Sequence, residues 1–267
     1  MRTVQGKRAL ITGAAGGLGL AIATRLARDG AKVALLDKNA EALLKIDRKL
    51  LGAEEEPLHL PCDLRDDDCI AGAVERLITE WGGVDILVNN AGVAYYGRSH
   101  EMSKDEWQEI LEVNLIRSIE LTRLLLPQLL AQPESHIVNV ASMYGYFVTN
   151  RSTAYHLTKF GLIGFSEALR AEYARTNLGV TALCPGFVKT GLFRSMSCEG
   201  DRDRSPPSWI CTSAEKVASQ AVRSITRNRR LVKTGWLAHV TYLVRRVMPG
   251  LFDSMYHLGR PRWIKRR

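Results

Sequence analysis

The sequence predicts an α/β fold: a single doubly wound, Rossmann-like parallel sheet with helices on both faces and a helical C-terminal extension. Three observations carry this. Short β-rich apolar runs alternate with segments of helical period along most of the 267 residues, the pattern of parallel strands joined by helical crossovers. A glycine cluster separates the first apolar run from the first helical segment. Polar residues, Asp37, Asp63, Asn89 and Ser142 among them, follow directly on apolar runs, which puts them on the sheet edge where such folds bind ligands.

Taken in order, residues 7–12 form a short apolar strand, Gly13-Ala-Ala-Gly-Gly-Leu-Gly19 a tight turn, and residues 20–27 the start of a helix. Residues 31–36 are the second strand, ending at Asp37, and 40–51 an amphipathic helix. A third strand at 58–62 ends at Asp63, and 66–81 is helical. The fourth strand, 84–88, runs into Asn89-Asn90-Ala91-Gly92. Ser103-Lys-Asp-Glu106 has capping-box form and opens a long helix to about Leu130. Residues 137–141 give strand five, 152–176 a helix, and 180–184 strand six, ending in Pro185-Gly186. Cys198 to Pro207, with two prolines and mixed charge, is read as a loop. Thr212-Ser-Ala-Glu215 then caps a further helix, 230–233 is a last strand, and 236–248 is apolar and aromatic with arginines interleaved. The division expected is a dinucleotide-binding and catalytic domain over 1–230 and a basic amphipathic extension over 231–267.

Charge is unevenly placed. The formal net charge is +9, yet Arg223 to Arg267 holds twelve Lys/Arg against one acid, Asp253, leaving the preceding 222 residues at −2. Five dispersed cysteines without C-x-x-C spacing read as reduced thiols, neither a disulfide framework nor a metal site. The N-terminus has no apolar signal region, and no apolar run approaches the ~18 residues of a membrane span. A cytoplasmic protein, peripheral to a membrane if it meets one, is expected.

Two stretches carry chemistry. In the first, Gly13, Gly17 and Gly19 lie between strand and helix, where backbone must turn tightly and a pyrophosphate can approach a helix N-terminus. Asp37, ending the next strand, can accept from both hydroxyls of an adenosine ribose, and its charge repels a 2′-phosphate. No Lys or Arg lies in the glycine turn to offset that, so NAD is preferred over NADP; Lys38 next door works the other way. In the second stretch, Tyr155 and Lys159 are four apart and share a helix face. A cation near the tyrosine favours the phenolate and suits it to acid/base work. Ser142, just past a strand end, can hydrogen-bond a substrate oxygen.

The ordered set Thr12-Gly13-x-x-x-Gly17-x-Gly19, Asn89-Asn90-Ala91-Gly92, Asn114, Ser142, Tyr155-x-x-x-Lys159 and Pro185-Gly186-x-x-x-Thr190 resembles the short-chain dehydrogenase/reductase family over about residues 5–230. The resemblance implies a catalytic tetrad of Asn114, Ser142, Tyr155 and Lys159. Tyr155 would exchange the proton, Ser142 hold the substrate oxygen, Lys159 lower the tyrosine pKa and bind the nicotinamide ribose, and Asn114 hold a water linking Lys159 to solvent. It further implies cofactor contacts from Leu18, Asp63, Leu64, Asn90, Ala91, Gly92, Pro185, Gly186, Val188 and Thr190. Asp63 would meet adenine, Asn90 the adenosine ribose, and Thr190 with Val188 the carboxamide. A homodimer or homotetramer through the long helices is implied as well.

The residues placed to face a substrate, Val93, Ala94, Tyr95, Met143, Tyr144, Tyr146, Phe147, Phe187, Leu192 and Phe193, are apolar or aromatic. They suit a hydrophobic secondary alcohol or ketone, steroid-like, retinoid-like or long-chain; the plainer reading is that several only pack a lid. Ser142, Tyr144 and Tyr155 are the expected substrate contacts. His156 is assigned no role. The basic tail suits a membrane interface, or a solvated helix covering the pocket or meeting another subunit. No nucleic-acid motif accompanies it. An NADP-dependent carbonyl reductase, or a non-catalytic NAD-binding scaffold acting through the tail, are the alternatives.

Overall fold

The computed structural model describes residues 1–190, 197–198, 206–248 and 250. Its strands, in chain order, are β1 (Arg8–Thr12), β2 (Lys32–Asp37), β3 (Leu58–Pro61), β4 (Ile86–Asn89), β5 (Tyr95–Tyr96), β6 (Ser135–Val140), β7 (Leu178–Pro185), β8 (Ser197–Cys198) and β9 (Leu231–Thr234). Its helices are α1 (Gly17–Arg28), α2 (Ala40–Leu44), α3 (Arg48–Leu51), α4 (Asp67–Trp81), α5 (Lys104–Leu111), α6 (Arg117–Ala131), α7 (Thr153–Glu172), α8 (Ala214–Thr226) and α9 (Trp236–Val247). Seven strands make one sheet in the order β3-β2-β1-β4-β6-β7-β9. Every neighbouring pair in it is parallel. The expected doubly wound fold is therefore present. Strand order reverses between β1 and β4, and the crevice beyond their carboxyl ends is where a ligand enters such a sheet.

Side chains alternate across each strand, and the core divides accordingly. Ala9 and Ile11 of β1 and Val33 and Leu35 of β2 pack with Ile22 and Leu26 of α1 and Val217 and Ala221 of α8. Leu10, Ala34 and Leu36 face the other way, onto Leu77 of α4 and Leu121, Leu125 and Leu129 of α6. Ile22, Leu26, Leu77 and Leu125 are fully buried, each contributing roughly 1.5–3 kcal/mol of transfer free energy. Below the sheet's amino edge, Asp85 accepts from the Arg8 backbone N–H at 2.8 Å and from its Nε at 2.9 Å. Burial alone would raise the Asp85 carboxyl, but the Arg8 hydrogen bonds outweigh it and hold the group below the usual carboxylate range.

Three expectations need correction. The single helix at 40–51 is two short ones, α2 and α3: Ile46 turns into the core, and Asp47 caps a new start by accepting from Leu50 N–H at 2.8 Å. The long helix has the expected capping box, Glu106 N–H donating to Ser103 Oγ and Ser103 N–H to Glu106 Oε2, but a π-helical turn at Glu112–Ile116 separates α5 from α6. The cap of α8 is Ser213, which accepts from Lys216 N–H, one residue later than read. The last strand expected at 230–233 is β9, the edge strand of the sheet, with Ala182 opposite Leu231 and Pro185 opposite Thr234. Of the loop expected at 198–207, residues 199–205 lie outside the described residues, as does the sequence from 251 onward.

Candidate active site

The site is assembled from the carboxyl ends of the strands. At the end of β1, Thr12 Oγ1 accepts from the backbone N–H groups of Asn90 and Ala91, each at 3.0 Å. Asn90 Nδ2 answers by donating to Thr12 O at 2.9 Å and Gly13 O at 3.2 Å. This ties the glycine turn to the segment after β4. Gly13 has φ +64° and an added Cβ would lie 2.9 Å from Ala91 Cα, while at Gly19 a Cβ would meet Gly13 O at 2.0 Å, so neither position tolerates a side chain. Gly16 and Gly17 border the open cleft as well. There α1 begins with no side-chain cap and no acid in its first turn, leaving N–H groups to meet an anion.

That cleft measures about 490 Å³ and is lined by Gly13, Gly17, Leu18, Asp37, Asn90, Ala91 and Gly92 at one part and by Ser142, Tyr144, Tyr155, Lys159, Pro185, Gly186, Val188 and Thr190 at another. Asp37 is held by Ala15 N–H and Asn39 N–H, one to each carboxylate oxygen, both at 2.9 Å. Each oxygen keeps acceptor capacity for a ribose hydroxyl. A smaller recess of about 130 Å³ borders Asp37 and takes in Asp63, Leu64, Gly92, Lys38 and Arg65. Arg65, which the sequence reading did not single out, pairs with Asp63 at 2.7 Å, and that hydrogen bond holds the Asp63 carboxyl below its ordinary range. No spacing rule marks a pair two residues apart in a loop.

Around Tyr155 the groups come close together. Ser142 caps a single 3-10 turn (Met143–Gly145), its Oγ accepting from Tyr144 N–H at 3.1 Å. Burial pushes the Tyr155 hydroxyl well above its ordinary value, opposed by a hydrogen bond with Ser142 that favours the ionised form. Lys159 is buried, and its Nζ donates to Val140 O at 2.9 Å while standing 5.4 Å from the Tyr155 ring centroid. Burial lowers its pKa to about 8. Desolvation, opposed by Ser142, sets the direction of the tyrosine shift, and the expected lowering by the lysine is not among its causes. Asn114, fully buried in the π turn, accepts from Val93 N–H at 2.8 Å and donates to Val93 O at 2.9 Å. A Cβ on Gly92 would stand 3.2 Å from Asn114 Oδ1 and 3.8 Å from Lys159 Nζ, so Gly92 lets the three meet.

Of the residues expected to face a substrate, Ala94, Tyr95, Met143, Tyr144 and Phe187 line the cleft, and Val93 lines the recess. Tyr144 stands edge-on to both Tyr155 and Phe187, at 6.0 and 6.2 Å between ring centroids. Tyr146 does not belong to the cleft lining: its hydroxyl donates to Ala238 O of α9 at 2.7 Å and its ring meets Tyr242 edge-on. Phe147 is likewise absent from the lining. Leu192 and Phe193 lie outside the described residues. Ser152, missed in the sequence, joins the lining; its place just before α7 was the available signal. His156, given no role, braces the turn beyond Ser142: Nδ1 bonds Tyr144 O and Nε2 accepts from Thr149 N–H, both at 2.9 Å.

A doubly wound sheet with a dinucleotide-sized cleft and a Ser/Tyr/Lys cluster defines an NAD(P)-dependent oxidoreductase acting on a CH–OH group or its carbonyl. Residues 7–199 match the short chain dehydrogenase family model, and the chain belongs to the short-chain dehydrogenase/reductase family. It is similar to oxidoreductase UcpA of Escherichia coli (strain K12), 35% identical over 218 residues, 81% of this chain and 82% of that one. Among solved structures it is similar to a short-chain dehydrogenase/reductase from Burkholderia phymatum in complex with NAD, with TM-score 0.81, 25% identity and 98% of each chain covered. It is also similar to an alcohol dehydrogenase from the archaeon Thermococcus sibiricus complexed with 5-hydroxy-NADP, with TM-score 0.74, 26% identity, and 86% of this chain and 95% of that one covered.

Proposed function

We propose that the chain transfers a hydride between NAD(H) and a hydrophobic secondary alcohol or ketone of steroid, retinoid or long-chain type, with Tyr155 as general acid/base. The observation that carries this is a single cleft lined by Asp37 and also by Ser142, Tyr155, Lys159 and the aromatic rings of Tyr144 and Phe187. When bound, the nicotinamide would supply or accept the hydride. The chain's own residues do the rest. Backbone N–H groups at Gly17 and Leu18 would hold the pyrophosphate, and Asp37 the adenosine ribose, with Asn90, Ala91 and Gly92 alongside. Asp63 and Leu64 would bound the adenine, and Pro185, Gly186, Val188 and Thr190 the carboxamide side.

In oxidation, Tyr155 takes the proton from the alcohol; in reduction it returns one to the carbonyl oxygen. Ser142 donates a hydrogen bond to that oxygen as its charge changes. Lys159, when protonated, stabilises the phenolate and binds the nicotinamide ribose, and Asn114 holds the water linking it to solvent. Lys38 and Arg65 beside the recess favour a second reading, an NADPH-dependent carbonyl reductase; Asp63 neutralises Arg65, which leaves Lys38 against Asp37. Exposed Ile116, Leu130, Leu157 and Phe160 support a homodimer or homotetramer built on the long helices. We place the protein in the cytoplasm, peripheral to a membrane through its basic C-terminal tail.

Side-by-side titration with NADH and NADPH, followed by turnover of steroid, retinoid and aliphatic alcohols, tests the reading. Tighter NADH binding with turnover of an apolar alcohol is expected. Tighter NADPH binding would replace the cofactor assignment, and turnover confined to small charged metabolites would remove the substrate class.

A further inference from the structure

Twelve large apolar side chains are exposed among the described residues, and six of them, Trp209, Trp236, Val240, Leu243, Val247 and Met248, lie in or beside α9. Trp209 and Trp236 stack with centroids 6.3 Å apart and planes 16° from parallel, both more than half exposed. Along α9 the spacing 236, 240, 243, 247 puts four of these side chains within about 60° of one another on a 3.6-residue period. The opposite face carries Ala238 and Thr241, which are buried against the body. A helix docked by one side and leaving water on the other normally shows polar residues outward; α9 shows an apolar stripe.

We infer that this stripe, with the Trp209–Trp236 pair, is a surface for docking on an anionic lipid bilayer. The inference rests on the membrane reading above and assigns it to particular residues. Both cations of α9, Arg245 and Arg246, are exposed and the helix has no acid; Arg246 flanks the stripe, while Arg245 lies across the helix from it on a 3.6-residue period. Between Arg223 and Arg267 the sequence has twelve cations and one acid. A second copy meeting this face would bring like charges together, whereas anionic headgroups complement them. The helix lies in the interface rather than crossing it. Its twelve residues span ~18 Å against ~30 Å of hydrocarbon, and no described helix is long and apolar enough to cross a membrane. Stacked indoles suit the headgroup boundary, where aromatic rings find one apolar and one wet side.

The test uses the full chain and vesicles of phosphatidylcholine, with and without about one third phosphatidylglycerol. Co-sedimentation with the mixed vesicles, weakened by salt, and a blue shift of tryptophan emission are expected. In the double variant Leu243→Ser/Val247→Ser, vesicle affinity should fall at least about tenfold, with turnover of a water-soluble alcohol and thermal midpoint unchanged. Arg246→Glu should weaken the preference for phosphatidylglycerol, and Arg245→Glu, across the helix from the stripe, should weaken it less. If wild type binds and the serine variant binds equally, the membrane reading stands but this face is not responsible. If wild type binds neither vesicle, both fail. If wild type is an oligomer that the serine variant dissociates, the occupant is a second copy and the inference is overturned.

Discussion

The His156 imidazole and the Tyr144 carbonyl are joined by a 2.9 Å hydrogen bond, and the same ring packs 4.6 Å from the Tyr144 ring. Because Nε2 accepts from Thr149 N–H, the neutral ring is the one that fits, and the turn carrying Ser142 is held against α7 through it.

His156→Phe should therefore lower kcat by roughly tenfold, about 1.4 kcal/mol of barrier, with little change in NADH affinity. Burial lowers the His156 pKa, with the hydrogen bond to the Tyr144 carbonyl opposing it. The brace is fully present above the unfolded value near ~6.5 and is lost as pH falls toward the folded one. A kcat profile whose acid limb moves or vanishes in the variant checks this; an unchanged profile would remove the brace from the mechanism.

Tyr155→Phe should cut turnover by about 10²–10⁴-fold and Ser142→Ala by about 10²–10³-fold, the ranges for losing a general acid/base and an oxyanion donor. Cofactor affinity should stay within a few fold for both, since neither removes the Asp37 contacts. Stopped-flow turnover alongside NADH fluorescence titration separates the two effects.

Asp37→Ala removes an acceptor whose hydrogen bonds to ribose hydroxyls are each worth about 1.5–3 kcal/mol. NADH affinity should weaken by roughly ten- to a hundredfold, and NADPH affinity should hold or improve as the repelling charge leaves. Equal loss for both cofactors would contradict the ribose assignment.

Asp85→Ala strips the partner from Arg8, whose side chain is only 20% exposed. Loss of about 3 kcal/mol is expected, the lower range for breaking a buried pair. Because the folded carboxyl sits below its ordinary value, the stabilisation is present above the unfolded pKa of ~3.9 and disappears as pH falls through the folded one. Urea melts between pH 7 and 3 should show this acid loss in wild type and a flatter dependence in the variant.

The strand, turn and helix around Gly13–Gly19 were legible because each is set by neighbours in sequence: an apolar run, φ-permissive glycines and a 3.6-residue period. The break between α2 and α3 was not, since Ile46 leaves the helix to reach a core assembled from distant strands. Asn114 could be picked out by resemblance, but an extra residue in one helical turn leaves no mark on hydrophobic periodicity, so the π turn that points it at Val93 was hidden. Tyr146 shows the limit most clearly. An aromatic residue four past Ser142 reads as cleft lining, yet its hydroxyl finds a carbonyl ninety-two positions later in the chain.

That hydrogen bond from Tyr146 to Ala238 makes α9 the outer wall of the turn on which Ser142 stands. A chain clipped by a protease before Trp236, or one fused at its end to a bulky tag that levers α9 away, would lose this hydrogen bond from the half-buried Tyr146, worth about 0.5–1.5 kcal/mol net, and would let the serine drift. Preparations differing only in how the C-terminus was handled should then differ in kcat, while their cofactor affinities agree.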